Sequence, residues 1–186
     1  MKQIKFATMT VVLAATVLFT ACKKDDAVAV NGNSSSTLDV GKAGIMFNSN
    51  TNFATSTAFN VRNTSTTDAS SISNGSARLI RLAATEMSGT TMIRAALITI
   101  TLPSTATTTN GNLTADLGAA GDIVADVSLT SNSGTTTGTT YDSQSGTLTI
   151  TKLTATEIEG TFNTTVNGGG ANTLILSGGS FAGKFP

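Results

Sequence analysis

Few residues in this chain have the type and spacing to do chemistry. Glu157 and Glu159 come first, as the only closely spaced glutamates. Two carboxylates acting on a glycosidic bond flank a cleft about 5–9 Å wide, usually from different strands. At i, i+2 in an extended segment they instead share one face, opposite Ile158 and Phe162, as on a solvated strand. Asp116, Asp122 and Asp126 could offer oxygen ligands to Ca²⁺, but they lack the dense alternation of a calcium loop, so turn and surface roles are expected. Gly178-Gly179-Ser180-Phe181-Ala182 falls short of a nucleophile elbow. Its last position is Ala, no helical pattern follows, and the chain has no His to act as base. Gly168-Gly169-Gly170 lacks the Lys-Ser/Thr and the helix of a phosphate cradle and reads as a hairpin loop. Arg62, Arg78, Arg81 and Arg94 are all the arginines of the chain. Converging, they could hold a carboxylate or phosphate, but pairing with Asp68 or Glu86 on strand surfaces is the simpler expectation. No catalytic, metal or cofactor set emerges, so the expectation is a protein that is not an enzyme.

Composition narrows the classes further. The 186 residues carry eleven basic and eleven acidic side chains, so bulk electrostatics cannot hold a nucleic acid. The lone Cys22 permits neither an intramolecular disulfide nor a thiolate cluster. Thr, Ser and Asn supply 69 of the 186 residues, a bias toward strands and turns over helices.

The N-terminus has its own logic. Lys2 and Lys5 precede an uncharged run of sixteen residues, Phe6 to Ala21, which includes Val11, Val12, Leu13, Val17 and Leu18. As a helix that run reaches about 24 Å, short of the ~30 Å hydrocarbon core, so it fits a secretory signal better than a permanent span. Thr20-Ala21-Cys22 resembles a bacterial lipobox, with Phe19 where Leu is usual and Leu18 beside it. The resemblance implies cleavage before Cys22, which would then carry a diacylglyceryl thioether and an amide-linked acyl chain. Several acyl chains together hold a protein on a bilayer, where one alone is marginal. Lys23-Lys24-Asp25-Asp26 resembles the export signal that sends Bacteroidota lipoproteins to the outer face of the outer membrane; the periplasmic face is the alternative. Loss of Lys2 and Lys5 leaves nine basic against eleven acidic groups, a mature charge of −2.

Three segments follow: 1–21 as signal peptide, 22–39 as lipidated Cys and flexible tether, and 40–186 as one antiparallel β domain. The tether prediction rests on Asn31-Gly32-Asn33-Ser34-Ser35-Ser36, which has little to bury. Beyond Val40 the apolar positions alternate with period two. The predicted strands carry Ala43, Ile45 and Phe47; Phe53 to Val61; Leu79 to Thr85; Met92 to Leu102; Leu113 to Leu117; Ile123 to Thr130; Leu148 and Ile150; Ile158 to Val166; Leu174 and Leu176; and Phe181 to Phe185. Asn74-Gly75, Asn110-Gly111 and Asn167-Gly168 fall where hairpin turns need positive φ. Eight to ten short strands without helical crossovers predict an all-β sandwich or barrel.

Gly146-Thr147-Leu148-Thr149-Ile150-Thr151, then Ile158-Glu159-Gly160-Thr161-Phe162, then Gly179-Ser180-Phe181 resemble the C-terminal signature of uncharacterised Bacteroidota outer-membrane lipoproteins. The resemblance implies a three-stranded antiparallel meander whose Gly and Phe positions serve packing, and it transfers no catalytic residue. The expected role is structural, adhesive or accessory binding on a membrane-anchored body. A lipocalin-like binder of a small apolar ligand is the alternative. A glycan-binding module is a further one, for which Tyr141 is the only available Tyr or Trp ring.

Overall fold

The computed structural model describes residues 33–54, 56–109, 111–132 and 138–186. Cys22, Lys23, Lys24, Asp25 and Asp26, with the rest of the leader, lie outside the described residues. A single 3-10 turn, Ser35–Thr37, precedes ten strands. These are β1 (Lys42–Phe53), β2 (Ser56–Arg62), β3 (Thr67–Asn74), β4 (Ala77–Ser88), β5 (Thr91–Pro103), β6 (Leu113–Asp116), β7 (Val124–Ser131), β8 (Thr139–Leu153), β9 (Glu157–Asn167) and β10 (Thr173–Lys184). The all-β expectation holds.

Nine strands form one continuous sheet in the order β2-β1-β10-β9-β8-β7-β5-β4-β3, and every pairing is antiparallel. β8 is long enough to take two partners along one edge: β7 pairs Thr139 to Asp142 and β6 pairs Thr147 to Ile150. The sheet curls until its edges approach, an incompletely closed barrel. The Ala69 N–H of edge strand β3 donates to the Gly41 carbonyl at 3.0 Å, just before β1 begins. Curling hides one apolar face and shortens the exposed edges, which is what so Thr-rich a chain with a modest core requires.

The inward side chains follow the alternation: Ile80, Leu82 and Ala84 from β4, Ile98, Ile100 and Leu102 from β5, and Ala125, Val127 and Leu129 from β7. They join one contiguous cluster with Phe47, Phe53, Phe59, Phe162 and Phe181. In β10 the inward parity changes between Leu176 and Phe181. A register shift between Leu176 and Gly179, with Gly178 at φ 59°, absorbs the extra residue. Gly160 faces Phe181 across the β9–β10 pair, and a Cβ at Gly160 would collide with that ring and the Thr149 carbonyl. The β8–β9–β10 meander is therefore present, with its Gly and Phe positions set by packing.

Several local expectations change. Residues 33–39, predicted as tether, are already packed on the body: Ser35 is fully buried, and Leu38 and Asn33 are buried with it. Ser34 caps the 3-10 turn and Leu38 anchors it, so a polar stretch with a single large apolar side chain packs on the sheet's outer wall. The strand predicted over Phe53 to Val61 is split, with Phe53 ending β1 and a turn through Ala54 at φ 60° leading into β2. β3 was not predicted; its polar sequence suits an edge whose outer face is solvated.

Candidate functional site

Among the described residues, charged and hydroxyl side chains on the outer wall come together in a polar clasp at the N-terminal approach. β9 places Glu157 and Glu159 on its outward face, as their i, i+2 spacing requires. The 3-10 turn lies against that face, and its first N–H groups have no partner within so short a helix. Glu159 supplies one: its Oε1 accepts the Ser35 N–H at 2.9 Å, the Ser35 hydroxyl at 2.5 Å and the Ser34 hydroxyl at 3.1 Å. From β8, Lys152 donates to the Ser35 Oγ at 3.1 Å and pairs with Glu157 at 2.6 Å and Glu159 at 3.4 Å. Around the same segment, Arg62 donates to the Ser34 carbonyl at 2.8 Å and to the Thr37 hydroxyl, and Asn33 Nδ2 donates to the Gly44 carbonyl at 3.0 Å.

The electrostatics suit holding, not reacting. Hydrogen bonding to Glu157, with the charge of both glutamates, raises Lys152 above the ordinary lysine value despite some burial. A lysine so stabilised as a cation is a poor base for the Ser35 hydroxyl, which is buried and already donates to Glu159. Burial pushes the Glu159 carboxyl up, but the Ser35 hydroxyl and N–H, the Ser34 hydroxyl and Lys152 together bring it below the ordinary carboxylate value. The hydrogen bond from Lys152 likewise lowers Glu157.

The arginines do not converge. Arg94 points inward from β5, 4% exposed, and pairs with Glu86 at 2.5 Å, as one of the two expected partners. Its other nitrogens donate to the Phe53, Ser56 and Ala58 carbonyls of the β1–β2 hairpin, and the guanidinium lies over the Phe53 and Phe59 rings. This side chain thereby ties the β2 edge back across the barrel. Arg78, inward on β4 and lowered by burial, donates to Ser71 and to the Thr154 and Ala155 carbonyls of the β8–β9 turn. Arg81 is exposed on the opposite face of β4, and no ion pair to Asp68 is present among the described residues.

Asp126 and Asp142 meet through Ser128, whose hydroxyl lies 2.8 Å from a carboxylate oxygen of each, and Ser143 donates to Asp126. Asp116 and Asp122 line a shallow surface depression of about 440 Å³ beside β6, away from Asp126. Among the described residues no three His, Cys, Asp or Glu side chains group to hold a metal. Ser180 is buried on β10 between its glycine and Phe181 neighbours, and Gly168 to Gly170 form the β9–β10 loop. Tyr141 stacks edge-on against Phe53, with ring centroids 6.1 Å apart, and is partly buried against the core.

Sequence reasoning placed the glutamate pair on one outward face but not its partners, since Ser34 and Ser35 lie over a hundred positions away. The available signal was local: a Ser-rich cap followed by one apolar residue, Leu38. Comparison with protein-family models, curated proteins and solved structures finds no match to this chain. The fold and site therefore define the protein only by class: a curled all-β body with its N-terminal approach clasped to its outer wall.

Proposed function

We propose that this protein is a lipid-anchored outer-membrane lipoprotein that displays a non-catalytic β body at the cell surface, in a structural, adhesive or accessory-binding role. The observation that carries the reading is the position of the chain's single Cys, directly behind a basic start and a sixteen-residue uncharged run. The clasp supports it, because an anchored body benefits from an approach segment fixed to its wall. The packing of Phe53, Phe59, Phe162 and Phe181, each no more than 1% exposed within one buried cluster, favours it over a lipocalin-like cup. Tyr141, packed against the core, is poorly placed as a sugar platform.

Metabolic labelling with an alkyne fatty acid tests the anchor. Wild-type chain takes up label and Cys22→Ala does not; equal labelling of both would refute the reading. Protease treatment of intact cells then separates surface display from the periplasmic face.

A further inference from the structure

Six large apolar side chains are exposed among the described residues, and four of them, Val40, Ile72, Leu79 and Val124, sit at one end of the barrel. The register aligns three. Ile72 faces Leu79, Leu79 faces Thr101, and Thr101 faces Val124, so a row crosses β3, β4, β5 and β7 on the outer wall. Ile72 is 62% exposed, Val124 44% and Leu79 41%. Val40 precedes Gly41, whose carbonyl takes the Ala69 N–H three positions before Ile72. The next row up, Ser70, Arg81, Thr99 and Asp126, is polar with mixed charge, so the contact this face can make is apolar and not electrostatic.

The same end receives the N-terminal approach. Asn33 is bonded to Gly44, near the start of β1, and Arg62, opposite Gly44 in β2, holds Ser34. From Cys22 to Asn33 is eleven residue steps, which reach at most about 38 Å fully extended. Counted the same way, the eleven steps of β1 span about 36 Å, nearly all of that reach. An anchor at Cys22 therefore keeps the Asn33 end close to the bilayer, and the far end, where Ile175 and Met87 are exposed, comes near it only with the chain pulled taut.

Resting on the lipid anchor at Cys22, we propose that the rim carrying Val40, Ile72, Leu79 and Val124 seats on that bilayer, with the row at the headgroup–acyl boundary. The lipid would immobilise the body in one orientation and leave the opposite rim, with the β9–β10 loop, facing outward. An apolar face of this size beside a tether needs the anchor for its binding strength and supplies orientation.

The chain has no Trp, so single substitutions give clean reporters. Full-length, acylated Ile72→Trp, Val124→Trp and Ile175→Trp proteins are reconstituted into neutral phosphatidylcholine vesicles with or without brominated acyl chains. The expected result is about a twofold loss of emission for Ile72→Trp and Val124→Trp, unchanged by salt, and none for Ile175→Trp. Equal quenching at all three positions, or none, in protein that floats with the vesicles would overturn the orientation alone. A blue shift at 72 and 124 without quenching would assign the face to a protein partner or second copy and overturn it too. Failure of the acylated protein to float would remove the anchor, and the orientation with it.

Discussion

Replacing Glu159 with Ala should release the N-terminal approach while leaving the barrel folded. The carboxylate accepts two hydrogen bonds from Ser35 and one from Ser34, and pairs with Lys152. Removing it leaves the Ser35 N–H and hydroxyl without their acceptor in a fully buried position. Each stranded polar group costs about 1–3 kcal/mol, reduced here because the opened site admits water. The net loss for docking is about 2–4 kcal/mol, which corresponds to about 30- to 1000-fold faster exchange through local opening. Hydrogen exchange of the Ser35 to Leu38 amides reads this directly. β9 and β10, whose ladders do not involve the carboxylate, should keep their protection. Unchanged exchange at Ser35, or equal acceleration throughout β9, would refute the clasp as the element that holds this segment.

Three other outcomes follow from the same geometry. Arg94→Ala strips partners from the Phe53, Ser56 and Ala58 carbonyls and from Glu86, and should cost about 3–5 kcal/mol in urea denaturation; Arg94→Lys should recover only part of it, lacking the guanidinium fork. Gly160→Val drives a side chain into the Phe181 ring and should cost at least about 1–3 kcal/mol by thermal melting. On acidification, the stabilisation from the lowered carboxyls of Glu159 and Glu157 is complete above the ordinary carboxylate value and lost as pH falls through their lowered values. Lys152, being raised, contributes fully below the ordinary lysine value and loses its contribution only as pH climbs through its raised one. The clasp should thus hold across neutral pH and open only as pH falls below the ordinary carboxylate range, visible in the Ser35 and Leu38 amide NMR shifts.

Alternation made most of the sheet legible, because strands such as Val124–Ser131 bury every second residue against one core. The meander was legible for a steric reason: Gly160 and Phe181 are complementary halves of one contact, so both must be present together. What escaped was whatever depends on distant partners. β3 has one solvated face and few apolar residues, so its sequence carries little periodic signal. Arg78 and Arg94 sit at inward positions that a charge would normally forbid. Each is tolerated because backbone carbonyls of another hairpin, a ring face and a polar side chain receive its guanidinium. Residues 33–38 read as tether because a Ser run has no core to find by itself. The surface that captures it is built from Gly44, Arg62, Lys152 and Glu159, on four different strands.

The most direct test of the account is intact-mass and peptide mass spectrometry on the chain purified from bacterial membranes. It should begin at Cys22, with residues 1–21 absent and the mass of a diacylglyceryl group and an amide-linked acyl chain on that residue. A bare thiol at Cys22 in the processed chain, or a mature N-terminus elsewhere, would contradict the account.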